Sequence, residues 1–167
     1  SKADLLQHVH LVQPGFIRVD ADEVTYPMHV ILRFELEQDL IAGKLAPADI
    51  PDAWDAKMKE YLGLSTRDNM KDGPMQDVHW PSGAFGYFPS YTLGAMMAAQ
   101  QWAALVRDHP QANAEMARGD FSTVTAWRRS NIWERASTAS TPEIMRLATG
   151  EPLHARYFIE HLQRRYG

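Results

Sequence analysis

Cysteine is absent from this 167-residue chain. That excludes disulfides, thiolate metal sites and a cysteine nucleophile. No apolar run approaches the length of a membrane span, so no membrane partner is expected. The opening Ser1-Lys2-Ala3-Asp4-Leu5-Leu6 has no signal-peptide character and reads as a start inside a helix, the first hint of a truncated chain. A concentrated patch of positive charge is also missing. The formal net charge is -4, and the densest basic pairs, Arg128-Arg129 and Arg164-Arg165, sit inside helical patterns. Phosphate binding needs a concentrated basic patch, so nucleic acid is not an expected partner. These absences together fit a cytoplasmic protein. What is present is ordinary for a packed domain, with 45% hydrophobic and 23% charged residues.

Alternating strand patterns are missing as well, and the dominant period is helical. Val24, Met28, Ile31, Leu32, Leu36 and Leu40 follow the i, i+4, i+7 rhythm. The run has Pro27 near its start and Gly43 as a C-terminal cap. A second helix is expected after Pro51, with Trp54, Met58, Tyr61 and Leu62 on one face and Gly63 beyond it. A third should run from about Ser90 to Arg107. Its small residues Gly94, Ala95, Ala98, Ala99, Ala103 and Ala104 predict a central, buried helix. A short helix is expected over Gln111 to Ala117. Another should start with Ser122 as N-cap and include Trp127, Ile132 and Trp133. Thr141-Pro142-Glu143 starts a helix that Gly150 stops, and a last helix is expected from about Leu153 to Arg165. Phe16 to Val19 predicts at most a brief extended piece. The fold class is all-α. The stretch from Leu64 to Pro89 has no helical period and reads as one long functional loop.

The chain has 7 histidines, but none has metal-site spacing. His8 and His10 point to different faces, and His29, His109, His154 and His161 are isolated from one another. No His-Glu-x-x-His occurs, the pattern that puts two imidazoles on one helix face. These residues read as surface or packing histidines, and this chain is expected to bind no metal. A Gly-x-Ser-x-Gly elbow and a phosphate-binding glycine loop are missing too.

Two segments stand out. Arg18 lies among Asp20, Asp22 and Glu23, beside Phe16 and Ile17. It could be a guanidinium pre-aimed at a carboxylate by its acidic neighbours, or a helix-start salt-bridge cluster. The second is Gly73-Pro74-Met75-Gln76-Asp77-Val78-His79-Trp80, followed by Phe85-Gly86-Tyr87-Phe88-Pro89-Ser90-Tyr91. Asp77 could fix a histidine tautomer, Trp80 could wall off water, and a tyrosine hydroxyl could donate to an oxyanion. Equally, this could be an aromatic loop closing a core, with Gln76 and Asp77 satisfying loop backbone groups. Local pattern leaves both readings open.

Together these segments resemble the carboxypeptidase Taq family of metal-dependent carboxypeptidases. Ile17, Arg18, Ala21 and Asp22 match its Ile/Val-Arg-x-x-Ala-Asp motif. Gly73, Gln76, Asp77, His79 and Trp80 match its Gly-x-x-Gln-Asp-x-His-Trp motif. Leu32-Arg33-Phe34-Glu35, Gly86 to Gly94 and Thr149 to Leu153 also look familial, whereas Trp133 to Ala136 departs from a more basic family stretch. The family's metal-binding motifs, His-Glu-x-x-His and His-Glu-Ser, lie upstream of the Arg motif and have no counterpart here.

The resemblance implies that residues 1–167 are the helical, substrate-binding C-terminal region of a larger, neurolysin-like metallocarboxypeptidase. Such an enzyme releases single amino acids from peptide C-termini and uses zinc or another divalent metal. This region would be inactive alone. By the same resemblance, Arg18 and His79 bind substrate, with His79 also counted among the catalytic residues. Tyr87 or Tyr91 donates to the oxyanion, and Asp22, Gln76, Asp77 and Trp80 orient these groups. A homodimer or self-association is expected. The alternative is a stand-alone helical interaction or dimerisation module without catalysis.

Overall fold

A computed structural model describes residues 1–167, all helices and turns with no β-strand. The chain resolves into two compact units, Ser1–Leu93 with Arg165–Gly167, and Gly94–Arg164.

The first unit opens with α1 (Lys2–Val9), capped by Ser1 and burying no residue. A single 3-10 turn at Arg18–Asp20 follows, with Ile17 extended before it. Helices α2 (Tyr26–Ile41) and α3 (Ile50–Leu62) form the core of this unit. Pro27 occupies the first turn of α2, where its missing N–H costs nothing. Gly63 ends α3 at φ 69°, a left-handed conformation that suits glycine. Leu32 and Leu36 of α2 interlock with Trp54, Met58 and Leu62 of α3. Burying each such side chain contributes roughly 1.5–3 kcal/mol. From Leu64 to Phe88 the chain runs through turns without a helix, as its glycines and prolines predict. Asp55 anchors the start of that run: its Oδ1 accepts from the Thr66 N–H at 2.7 Å and the Ser65 hydroxyl at 2.8 Å.

Helix α4 (Pro89–Asp108) begins in the first unit and continues into the second. The second unit adds α5 (Ala112–Ala117), α6 (Ser122–Asn131), α7 (Thr141–Thr149) and α8 (Arg156–Tyr166). Its core joins Ala104, Leu105, Ala112, Trp127 and Ala148. Gly150, at φ 94°, stops α7 as expected.

Four expectations are corrected here. The small-residue stripe of α4 is buried only in part: Ala104 lies in the core, whereas Gly94 and Ala98 are exposed, and a Cβ on Gly94 would meet nothing within 4 Å. At Gly94 no neighbouring element comes close. Ser122 is not the N-cap of α6. It is the first helical residue, and the Asp120 carboxylate accepts both its N–H and its hydroxyl. Ile132 leaves the helical conformation, so Trp133 falls in a separate 3-10 turn. The last helix starts at Arg156, not Leu153. Gln100 accepts the His154 N–H at 2.8 Å and donates to the Pro152 carbonyl at 3.0 Å, which keeps that segment out of the helix.

Candidate functional site

The 3-10 turn at 18–20, helix α2 and the 73–91 segment bring their chemistry together within the first unit. Arg18 is the meeting point. Its Nε and Nη2 donate to Asp77 Oδ1 at 3.1 and 2.7 Å, and its Nη1 donates to the Tyr26 hydroxyl at 2.7 Å. The guanidinium lies 4.9 Å from the Tyr91 ring centre and 5.8 Å from that of Phe88. A guanidinium has five N–H donors, so these partners leave part of its fork uncommitted.

The acids nearest Arg18 in sequence are not its partners, contrary to the expectation of a local acidic cluster. Asp22 turns away to organise the entry to α2. Its oxygens accept the N–H groups of Val24 and Thr25 at 2.9 Å each, the Thr25 hydroxyl, and the Gln13 N–H at 3.0 Å. Burial works upward on the Asp22 carboxyl, but these donors hold it below the usual carboxylate range. Asp22 therefore shapes the segment that carries Arg18 without touching it.

Asp77 is shared. Its second oxygen accepts from Arg33 Nε at 2.6 Å. Arg33 is 0% exposed. It also donates to the His29 carbonyl at 2.8 Å and lies over the Trp54 ring at 4.5 Å. Burial alone would raise the Asp77 carboxyl, but the two arginines overcome it and hold the group below the usual range. Burial pulls Arg33 down to about 10, against the pull of Asp77, so it stays charged at neutral pH. Arg18 is also opposed by burial, yet Asp77 keeps it above its ordinary value. Two guanidiniums thus share one carboxylate.

Asp77 does not fix a histidine tautomer. His79 Nδ1 is 3.6 Å from Asp77 Oδ1, beyond hydrogen-bond reach, and has no bonded partner. What holds His79 is Tyr91, whose hydroxyl is 2.9 Å from Nε2. Burial raises the Tyr91 hydroxyl, so it keeps its proton. The His79 ring also packs 4.4 Å from Phe88 and 5.6 Å from Tyr87, centre to centre. Tyr87 is 50% exposed, and its hydroxyl, unlike that of Tyr91, has no partner in the chain.

Gln76 bonds the backbone on both sides of Ile17. Its Oε1 accepts the Arg18 N–H at 2.8 Å, and its Nε2 donates to the carbonyls of Phe16 at 3.0 Å and Asp72 at 2.6 Å. Trp80 packs edge-on against Trp54 and Phe88 and donates its indole N–H to Glu37 at 2.9 Å. The core-closing reading of this segment describes Trp80, Phe88 and the backbone contacts of Gln76, whereas Asp77 bonds two arginines and not the loop backbone.

Sequence reasoning missed Tyr26, Arg33 and Glu37. They lie with His29 along one stripe of α2 and are placed where an apolar helix face turns polar. A run of ionisable residues at i, i+4 and i+8 (His29, Arg33, Glu37) inside an apolar pattern was the available signal. His29 is buried, and no group reaches either ring nitrogen in hydrogen-bond geometry, the nearby Gly15 backbone included. Burial, then Arg33 and Arg18, push it down to about 4. With two guanidiniums beside it, it does not suit a cation. Nowhere in the chain do three or more His, Asp or Glu side chains converge as a metal site would need. The residues present therefore do not fit a catalytic zinc. No helix is long and apolar enough to cross a membrane.

The family model described as Carboxypeptidase Taq (M32) metallopeptidase matches residues 1–166. Thermostable carboxypeptidase 1 of Thermus thermophilus is 42% identical over 158 residues, which are 95% of this chain and 31% of that protein. Carboxypeptidase 1 of Bacillus subtilis is 38% identical over 163 residues, 98% of this chain and 32% of that protein. The solved structure of Trypanosoma cruzi metallocarboxypeptidase 1 superposes with a TM-score of 0.95 at 43% identity, covering 99% of this chain and 35% of that one. The chain spans about a third of the length of the relatives it matches.

Proposed function

Because the chain belongs to the carboxypeptidase Taq (M32) metallopeptidase family, we propose that it is the peptide-holding, C-terminal third of an enzyme that releases single amino acids from peptide C-termini. The other two thirds would carry the divalent metal, zinc in this reading, and this chain would cleave nothing by itself. One observation carries the assignment. Arg18 and Arg33 share the single carboxylate of Asp77, so the more peripheral arginine, Arg18, has charge and N–H groups left for a second carboxylate. That carboxylate is the substrate's C-terminus. A bidentate pair would set the register so that only the last peptide bond reaches the reacting centre.

His79, fixed by Tyr91, faces the substrate backbone. Tyr87, with an exposed and unpartnered hydroxyl, is the oxyanion donor. Asp77 and Gln76 aim Arg18, Trp80 backs the aromatic wall, and Asp22 supports the turn beneath. We read the assembled enzyme as a cytoplasmic homodimer. The exposed Leu5, Leu6, Val9 and Leu11 on and after α1 support self-association of this chain.

The test is a titration of the 15N-labelled chain with N-acetyl dialanine and with its C-terminal amide. The acid should perturb the Arg18 Nε–H, the amide should not, and Arg18→Ala should abolish the response. Equal responses to both peptides would sink the carboxylate reading and leave the interaction-module alternative.

A further inference from the structure

Glu37 is a buried carboxylate whose partners are both neutral. It is 6% exposed. One oxygen accepts the Trp80 indole N–H at 2.9 Å and the other accepts the Gly86 N–H. No arginine, lysine or histidine pairs with it. Taking a carboxylate out of water for neutral donors is costly, and a well-packed apolar side chain often fills such a position at lower cost. What Glu37 contributes must therefore be placement rather than net stability.

The placement concerns one stretch of chain. Between α3 and α4 the backbone forms only local turns, such as Gly83 N–H to the Trp80 carbonyl and Ala84 N–H to the His79 carbonyl. Its outer side is open to solvent at Met75, Val78, Phe85 and Tyr87. Helix α2 holds it at two points a turn apart. Arg33 binds Asp77, two residues before His79. Glu37 binds Trp80, the residue after His79, and Gly86, the residue before Tyr87. These contacts flank His79 on both sides and end next to Tyr87, the two side chains that the functional reading aims at substrate.

We propose that Arg33 and Glu37 are positioning residues: from one face of α2 they hold the 77–86 segment so that His79 and Tyr87 face the substrate anchored on Arg18. This deepens the carboxypeptidase reading and rests on it. Arg33 acts through Asp77, and Glu37 acts through Trp80 and Gly86; neither touches the peptide.

The experiment uses the 15N-labelled chain as wild type, Glu37→Gln and Trp80→Phe, with N-acetyl dialanine as probe. Glutamine keeps the size of Glu37 but turns one acceptor into a donor facing a donor. Hydrogen exchange of the Gly86 amide should speed up by about tenfold or more in Glu37→Gln while α3 amides stay within about twofold. On adding the peptide, apparent affinity read at the Arg18 Nε–H should change by less than about twofold, while the Tyr87 response falls by about fivefold. General loosening would weaken both readouts together, so a selective loss separates positioning from mere stability. Unchanged Gly86 exchange, or equal loss at Arg18 and Tyr87, overturns the proposal. Trp80→Phe removes one donor and leaves a smaller aromatic ring in its place. It should lower the Tyr87 response about twofold, and it decides the matter if Glu37→Gln does not fold, an unchanged response then overturning the proposal. A wild-type chain that shows no Arg18 response defeats the carboxylate reading, whereas the Gly86 exchange still reports whether Glu37 holds the segment.

Discussion

Arg33 reaches Asp77 across 44 residues of sequence, with Nε 2.6 Å from Oδ2. Both side chains are almost fully enclosed, at 0% and 9% exposure. The contact fastens the first long helix to the loop that sequence alone leaves without structure.

Removing Asp77 leaves two guanidiniums without their shared counterion, one of them fully buried. Asp77→Asn should destabilise the first unit by about 3–5 kcal/mol, because an uncompensated buried charge costs more than the pair contributed. Urea denaturation followed through the tryptophans of that unit measures it. A loss below about 1 kcal/mol would mean that water reaches the arginines more freely than their burial implies.

The pH dependence follows from His29. Its folded value, about 4, lies below the unfolded one, so the unfolded state binds a proton first as pH falls. Stability from the neutral ring is complete above about pH 6.5 and is lost progressively down to about pH 4, roughly 3 kcal/mol in all. Asp77 acts in the same direction at lower pH: its lowered carboxyl contributes stability that disappears as pH falls through its folded value. His29→Leu should flatten the curve between pH 6.5 and 4. Parallel curves for mutant and wild type would show that the ring protonates in place.

The two tyrosines should part company in catalysis. In a chimera where this chain replaces the matching third of the Thermus thermophilus enzyme, Tyr87→Phe should lower kcat by about a hundredfold, the usual cost of an oxyanion donor. Tyr91→Phe frees the His79 ring and should cost about tenfold in kcat/KM. Steady-state kinetics on a blocked dipeptide gives both numbers. The reverse order would exchange the two assignments.

Gly73 is buried, and a Cβ there would lie 2.7 Å from the Asn69 carbonyl oxygen, a backbone atom that cannot swing aside. Gly73→Ala should therefore cost about 1–3 kcal/mol through a forced backbone shift. It should also weaken the Gln76 bond to the Arg18 N–H, three residues further on. Thermal melting and the Arg18 amide shift test the two effects together.

The helices were readable because each carries a strong local signal. Pro27, Gly63, the Thr141-Pro142-Glu143 start and Gly150 stand where the structure starts or stops a helix. Signals failed where a side chain from elsewhere intervenes. Gln100 captures the His154 N–H and delays α8, and Asp120 takes the capping role that Ser122 suggested. In the site, Arg18, Gln76, Asp77, His79 and Tyr91 were singled out, but not which of them pair, and Tyr26 and Arg33 were not among them. Arg18 has three acids within five residues, yet it bonds one 59 residues away. Local spacing cannot register a contact made by folding α2 against a loop without periodicity. Arg33 and Glu37 were hidden for the same reason: on an apolar helix they read as its solvent side, when they are its buried polar seam.

Gln76 joins the 16–18 segment to the loop through one amide, its oxygen on the Arg18 N–H and its nitrogen on carbonyls of Phe16, Asp72 and Gly73. That arrangement makes the site sensitive to chemical ageing. Deamidation would exchange a single NH2 for an oxygen, a mass change of about one dalton, and set a carboxylate against several carbonyl oxygens with no donor between them. A protein that looks intact on a gel could then have lost the register of its arginine.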